Sequence, residues 1–453
     1  MCNLYLWLDF NPSITKMTVI SCIRSRMQLT GVRVPGSLPA DVWGRPMNVL
    51  FLGFVLLAIG LALWRLLHGD SAAPAGMVEA MFGAADLAVE VSLGLIGILT
   101  LWSGFFRVAE RSGLTERLAR FVAPLLGRLM PGQAARPETF GPVTLNLSAN
   151  MLGLDNAATP LGLKAMEAMQ RDNPRPDTAT DSQIMFLVLN TSSVTLLPVT
   201  IFLYRAQQGA ADPADIYAPM LLATTASTFV GVWLTARIQG LCLNSPLVWS
   251  VALVWLGLLA VLTAVLSGLP GGQASALSSA LGNGLLLLAV GGFLLAGWKA
   301  GLNVYQVFIE GAREGFNTAV HLIPYLVAML VAIAMLRAAG GVEMLLGGIR
   351  TLVAWTGADT RFVDALPVAL LKPLSGSASR AMMLDVMQAH GVDSLAGRMA
   401  AVMQGSTETT FYVLAVYFGS VGVTRIRYAL WCGLAADAAG LCAAVLATYL
   451  FFG

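Results

Sequence analysis

Charge is what this sequence has least of. Only 11% of its 453 residues are Asp, Glu, Lys or Arg, while 57% are hydrophobic. Soluble domains carry about 25% charged residues, so most of this surface is built to face something other than water. The mean hydropathy of +0.73 agrees. A net charge of +2, with no basic block, excludes a polyanionic partner such as nucleic acid. The three histidines (His68, His321, His390) are scattered and make no local metal site. Five cysteines show no C-x-x-C spacing, and Cys432 and Cys442 inside an apolar segment read as small core residues. No P-loop, nucleophile elbow, zinc-protease helix or His-centred triad is present, so the sequence supports no enzyme.

Long apolar runs are what the chain does have. A helix needs about 20 apolar residues to cross the hydrocarbon core. By that measure spans are expected near 48–67, 86–106, 184–204, 216–236, 247–267, 281–298, 316–336, 399–421 and 428–450. The fold class is therefore an all-α polytopic membrane protein. Residues 1–46 lack both a sustained period and a signal-peptide pattern. They are expected to be a mis-assigned start upstream of Met47 or a disordered extension. Residues 112–130 place Leu114, Leu118, Phe121, Val122 and Leu125 on one helical stripe, which predicts an amphipathic helix along the membrane interface.

The same parts occur twice. "EAMFGAADLAVEVSLGLIG" from Glu79 matches "VFIEGAREGFNTAVHLIPY" from Val307, and "LNTSSVTLLPV" around Ser192 matches "QGSTETTFYVL" around Ser406. Long internal repeats in a membrane chain mark transporter architectures. Two halves are expected, 47–240 and 281–453, joined by a linker at 241–280 that holds one extra span. Arginines argue for opposite orientation. Arg107, Arg111, Arg117, Arg120 and Arg128 follow the second span, whereas the last loop of each half reverses the bias, with Arg205 alone in the first and Arg425 and Arg427 in the second. An inverted repeat is the expectation.

Two kinds of segment carry chemistry. Residues 146–166 and 371–387 are too polar and too broken by Gly and Pro to span, and read as re-entrant hairpins. Helix N-termini at such tips suit anionic or polar ligands. The runs "LNTSSVT" and "QGSTETT" put polar residues around the whole helix circumference, which predicts unwinding or tight burial. Ser and Thr alone also serve close helix packing, but an intramembrane acid costs on the order of 3 kcal/mol and asks for a partner or a role. The candidate solute site is thus Asn150, Asn156, Thr159, Asn190, Ser192, Ser377, Gln404, Ser406, Glu408 and Thr409. Glu408 and Asp437 are the candidates for a coupling H⁺ or Na⁺, with Arg380 as charge partner of Glu408, and Arg380 or Lys372 as that of Asp437. Asp86 and Glu90 read as a solvated helix end.

"NLSANMLGLDNAATPLGLKAME" and "FLVLNTSSVTLLPVT" resemble the spore maturation protein A family. "LPVALLKPLSGSASRAMMLD" and "MQGSTETTFYVLAVYFGSVGVTRIRYAL" resemble the spore maturation protein B family. Both carry the nucleoside-recognition (Gate) domain, shared with concentrative nucleoside transporters and the membrane part of the bacterial ferrous-iron transporter. The resemblance implies a multi-pass protein of the bacterial inner membrane, in contact with lipid. It implies no cofactor, and a small polar solute that is nucleoside-like by analogy alone. A homo-oligomer, and a non-transporting scaffold or sensor built on the same fold, remain open alternatives.

Overall fold

Helix caps and polar interruptions cut the apolar runs into eighteen α-helices among the described residues. The computed structural model describes residues 40–134, 136–153, 155–241, 243–268 and 273–453; of the leader expected at 1–46, residues 1–39 lie outside them, and the rest opens the first helix. Everything below concerns the unit Gly44–Gly453. In chain order the helices are α1 (Ala40–Leu67), α2 (Ala73–Arg111), α3 (Leu114–Leu129), α4 (Pro131–Ala134), α5 (Pro137–Met151), α6 (Asp155–Arg171), α7 (Asp181–Thr191), α8 (Val199–Gln207) and α9 (Tyr217–Gln239). They continue with α10 (Pro246–Ser267), α11 (Gln273–Lys299), α12 (Val304–Ala338), α13 (Gly341–Ala354), α14 (Leu366–Leu371), α15 (Gly376–His390), α16 (Leu395–Gly405), α17 (Thr410–Ser420) and α18 (Ala429–Phe452). No strand forms among the described residues.

Five of these, α2, α9, α10, α11 and α18, are apolar and long enough to cross a membrane, and the bent pair Leu326–Ala338 and Gly341–Ala354 qualifies jointly. The chain is a multi-pass membrane protein. The expected spans at 184–204 and 399–421 do not form as single helices, because α7 stops at Thr191 and α16 at Gly405. Local bonds explain the stops. The hydroxyls of Thr191 and Ser192 both donate to the Val188 carbonyl, that of Ser406 donates to the Met403 carbonyl, and Pro198 brings no N–H to continue the ladder.

Corresponding helices of the two halves pack against each other, α2 on α12 and α9 on α18. Contacts run in opposite directions: Leu99 meets Gly315, Ser103 meets Gly311 and Gly104 meets Phe308. In the second pair Gly231 meets Ala436 and Ser227 meets Gly440. Both pairs are antiparallel. Small residues bring the backbones close, as membrane helices require when lipid competes for every apolar side chain. A Cβ on Gly311 or Gly315 would collide with the carbonyls of Ser103 or Leu99. Arg107 then pairs with Glu314 beside this seam, and with Glu110 at 2.6 Å.

The expected hairpins exist. α5 turns at Leu152–Gly153 into α6, and α14 turns at 372–375 into α15. α3 buries Thr115, Ala119, Leu126 and Leu129, while Phe121 of the expected apolar stripe is 82% exposed, facing away from the protein. Asp86 and Glu90 are exposed, but they lie inside α2 rather than at a helix end, because the helix already begins at Ala73. Cys432 is buried, but Cys442 is exposed. Ten residues along one helix leave the two about 80° apart around its axis, so they cannot share a face.

Candidate functional site

The two interrupted spans meet at their breaks. The backbone N–H of Glu408 donates to the Thr191 carbonyl at 2.8 Å. Each break is also held by the hairpin of its own half. Leu196 N–H donates to the Met151 carbonyl at 2.9 Å, and Phe411 N–H donates to the Pro373 carbonyl at 3.0 Å. Gly376 at the second tip lies so near Thr409 that a Cβ there would fall 2.8 Å from the Thr409 hydroxyl. Unwound backbone survives at membrane depth only where protein or a wet cavity satisfies it, and here each break is satisfied by a tip and by the other break.

Contacts along the two broken spans run antiparallel. Beyond the break, α8 delivers Arg205 to the loop before α16, where its Nη2 sits 2.9 Å from Asp393 Oδ1 and 2.9 Å from Asp215 Oδ1. Arg398 closes this group on Asp215 at 2.7 Å. Burial pushes the Asp215 carboxyl above the usual carboxylate range and the Arg205 guanidinium below its usual value. At the opposite ends, the loop after α17 returns to the start of α7: Arg427 pairs with Asp181 at 2.7 Å and Arg425 with Asp177 at 3.4 Å. The first clasp is buried, with Arg205 0% exposed; the second is open, with Arg425 side chain 76% exposed.

Polar side chains gather where tips and breaks converge. Asn150 Nδ2 donates to Asn190 Oδ1 at 2.8 Å, and Asn190 Nδ2 donates to the Phe186 carbonyl. Asn146 donates to the Ala158 carbonyl at 2.7 Å, and Tyr417 lies within 3.5 Å of Asn190 and 3.4 Å of Asn146. The Asn146 carbonyl oxygen and the Ser148 hydroxyl are buried with no hydrogen-bond partner among the described residues. On the second half, the Ser379 hydroxyl bridges the Val368 carbonyl and Gln404 Oε1, the latter at 2.5 Å. Ser375 caps α15 on Ala378 N–H and lies 3.2 Å from the Ser377 hydroxyl.

Of the residues singled out in the sequence, Asn150 and Asn190 touch, while Gln404 joins Ser379. Ser192 and Ser406 are buried and spent on their own helix carbonyls. Thr409 is buried at the tip and Thr159 half-buried on α6; the Asn156 side chain lies outside the described residues. Arg380 is half-buried beside the second tip, its Nη2 3.8 Å from the position of a Cβ on Gly376. Glu408 is exposed, whereas Asp437 is 1% exposed. Gly433, Asp437 and Gly440 share one face of α18, and the glycines admit Thr410 and Thr407 at van der Waals range. Asn146, Ser148 and Ser379 stand out in the sequence as polar residues of the two hairpins but were left outside the candidate site, and Tyr417 was missed. Their signal was present in part, since Asn146 stands one turn before Asn150 and Ser379 one turn after Ser375.

The comparisons agree with this duplicated plan. The family model described as "Gate: Nucleoside recognition" matches residues 92–207 and again 319–424, the two stretches that hold the hairpins and breaks. Spore maturation protein B of Bacillus subtilis (strain 168) is 40% identical over 169 residues, 37% of this chain and 93% of that protein. Spore maturation protein A of the same organism is 41% identical over 149 residues, 33% of this chain and 76% of that protein. No solved structure matches the chain. Each relative aligns with a part of a molecule whose two halves carry the same hairpin and break, and the chain belongs to the nucleoside-recognition (Gate) family.

Proposed function

We propose that the chain is a permease-like protein of the bacterial inner membrane that carries a small polar solute through the point where the two breaks meet. The observation that carries this reading is the Glu408 N–H to Thr191 carbonyl bond, with one hairpin tip tied to each break. A scaffold needs no such arrangement. Interrupted helices place backbone dipoles and unspent polar groups at mid-depth, which is what binding and release of a polar solute demand. The unpartnered Asn146 carbonyl oxygen and Ser148 hydroxyl supply the acceptor and donor that a polar solute would satisfy.

The solute is nucleoside-like in class: a planar polar group for the Asn146, Asn150 and Asn190 amides, and hydroxyls for the serines of the second tip. Antiparallel packing of α2 on α12 and α9 on α18 supports the inverted relation of the halves, since equivalent helices run oppositely. Transport is coupled in this reading to H⁺ or Na⁺. Purified chain in proteoliposomes should accumulate radiolabelled nucleosides or related polar solutes, and Asn190→Ala should abolish accumulation. A panel of such solutes that neither enters vesicles nor shifts the melting temperature of the wild-type chain would overturn the reading.

A further inference from the structure

Four oxygens close to the second break are buried together. The Thr407 and Thr410 hydroxyls and both carboxyl oxygens of Asp437 are buried without a well-formed hydrogen bond among the described residues. They belong together. Gly440 lets Thr407 lie on α18, and Gly433 lets Thr410 do so, each within 3 Å of where a Cβ would stand, with Asp437 on the same face between them. The hydroxyls of Thr410 and Thr407 act on the Asp437 carboxyl as hydrogen-bond donors, though at poor geometry. The charged groups acting on it are Lys372, from the end of α14, and Glu408 in the break. Across from this face α9 offers Ser227 and Gly231, neither of which titrates. No ion pair within 4 Å reaches Asp437 among the described residues.

A carboxylate left this dry is expensive. Burying an ion without a cation beside it costs several kcal/mol, and two poorly placed hydroxyls offset little of that. The same four oxygens form an all-oxygen donor set of one charge, which suits a hard monovalent cation. Unwound backbone next to them, with the C-terminal carbonyls of α16, contributes further negative potential. We propose that Asp437, Thr407 and Thr410 form a monovalent-cation site on the second break, occupied by a proton or a sodium ion. This deepens the transport reading above and rests on it for its role, though not for its existence. It selects Asp437 over the exposed Glu408 as the coupling residue. It also makes the site a property of one half, because the first half presents Thr225 and Ser227 on α9 and no acid.

The test reads melting of the full chain in detergent with no solute present. In one arm NaCl replaces choline chloride at constant ionic strength and pH 8. In the other, sodium-free buffer is taken from pH 8 to 5.5. Wild type should gain several degrees with Na⁺ or with acid, and Asp437→Asn should lose that gain. Should Asp437→Asn fail to fold, Thr407→Val with Thr410→Val decides: the half-saturating concentration should rise about tenfold, the loss of roughly one charge-assisted oxygen contact. A wild type flat in both arms, an Asp437→Asn chain that keeps the response, or an unchanged half-point in the double variant overturns the site. A cation response without any solute effect leaves the site standing and removes only the transport reading.

Discussion

At the scale of single residues, the amide cluster shows how unequal neighbouring contacts are. Asn190 accepts from Asn150 at 2.8 Å, while the Tyr417 hydroxyl stands at 3.5 Å, the far edge of a hydrogen bond. Asn190→Ala strands the Asn150 amide and should cost about 1–3 kcal/mol in chemical or thermal unfolding. Tyr417→Phe, which removes only long contacts, should cost about 1 kcal/mol or less. Equal losses would mean that Tyr417 rather than Asn150 anchors Asn190. The asparagines were legible in the sequence because polar side chains in a hydrophobic hairpin declare themselves. Which of two acids lies deep was not. Glu408 sits among six polar residues and looked central, yet its side chain is exposed. Asp437, in plain "LAADAAG", is buried because α18 turns its glycine face to the break, a fact of tertiary contact.

At the scale of elements, the two broken spans are held by clasps of different character. Removing one partner of a buried pair costs about 3–5 kcal/mol, whereas an exposed pair contributes about 0–1 kcal/mol. Asp215→Asn should therefore lower unfolding stability by several kcal/mol, and Asp181→Asn should change it little. Similar losses from the two substitutions would show that burial does not distinguish the clasps. Hydropathy made single spans of 184–204 and 399–421, since apolar residues flank each polar run closely enough to fill a 20-residue window. The polar runs nevertheless announced the interruption. Their hydroxyls compete with the helix ladder, as the bonds of Thr191 and Ser192 to Val188 record.

At the scale of the molecule, the duplicated order of parts was readable from matched motifs, and the arginine distribution carried the expectation of opposite orientation. Reporters fused after Gly132 and after Gly341 should fall on opposite sides of the membrane. Both on one side would defeat the inverted relation despite the antiparallel seams. The seams themselves were beyond sequence reasoning, because Gly311 and Gly315 on α12 gain their meaning only from the Ser103 and Leu99 carbonyls they admit. Those seams carry one consequence for motion. Where Gly311 and Gly315 meet the Ser103 and Leu99 carbonyls there is little side-chain layer to slide, which opposes shear along that stretch of the interface. In the permease reading α2, α9, α12 and α18 are the natural chassis. The movement that this reading asks for then falls to the short hairpins and the half-helices hung upon it.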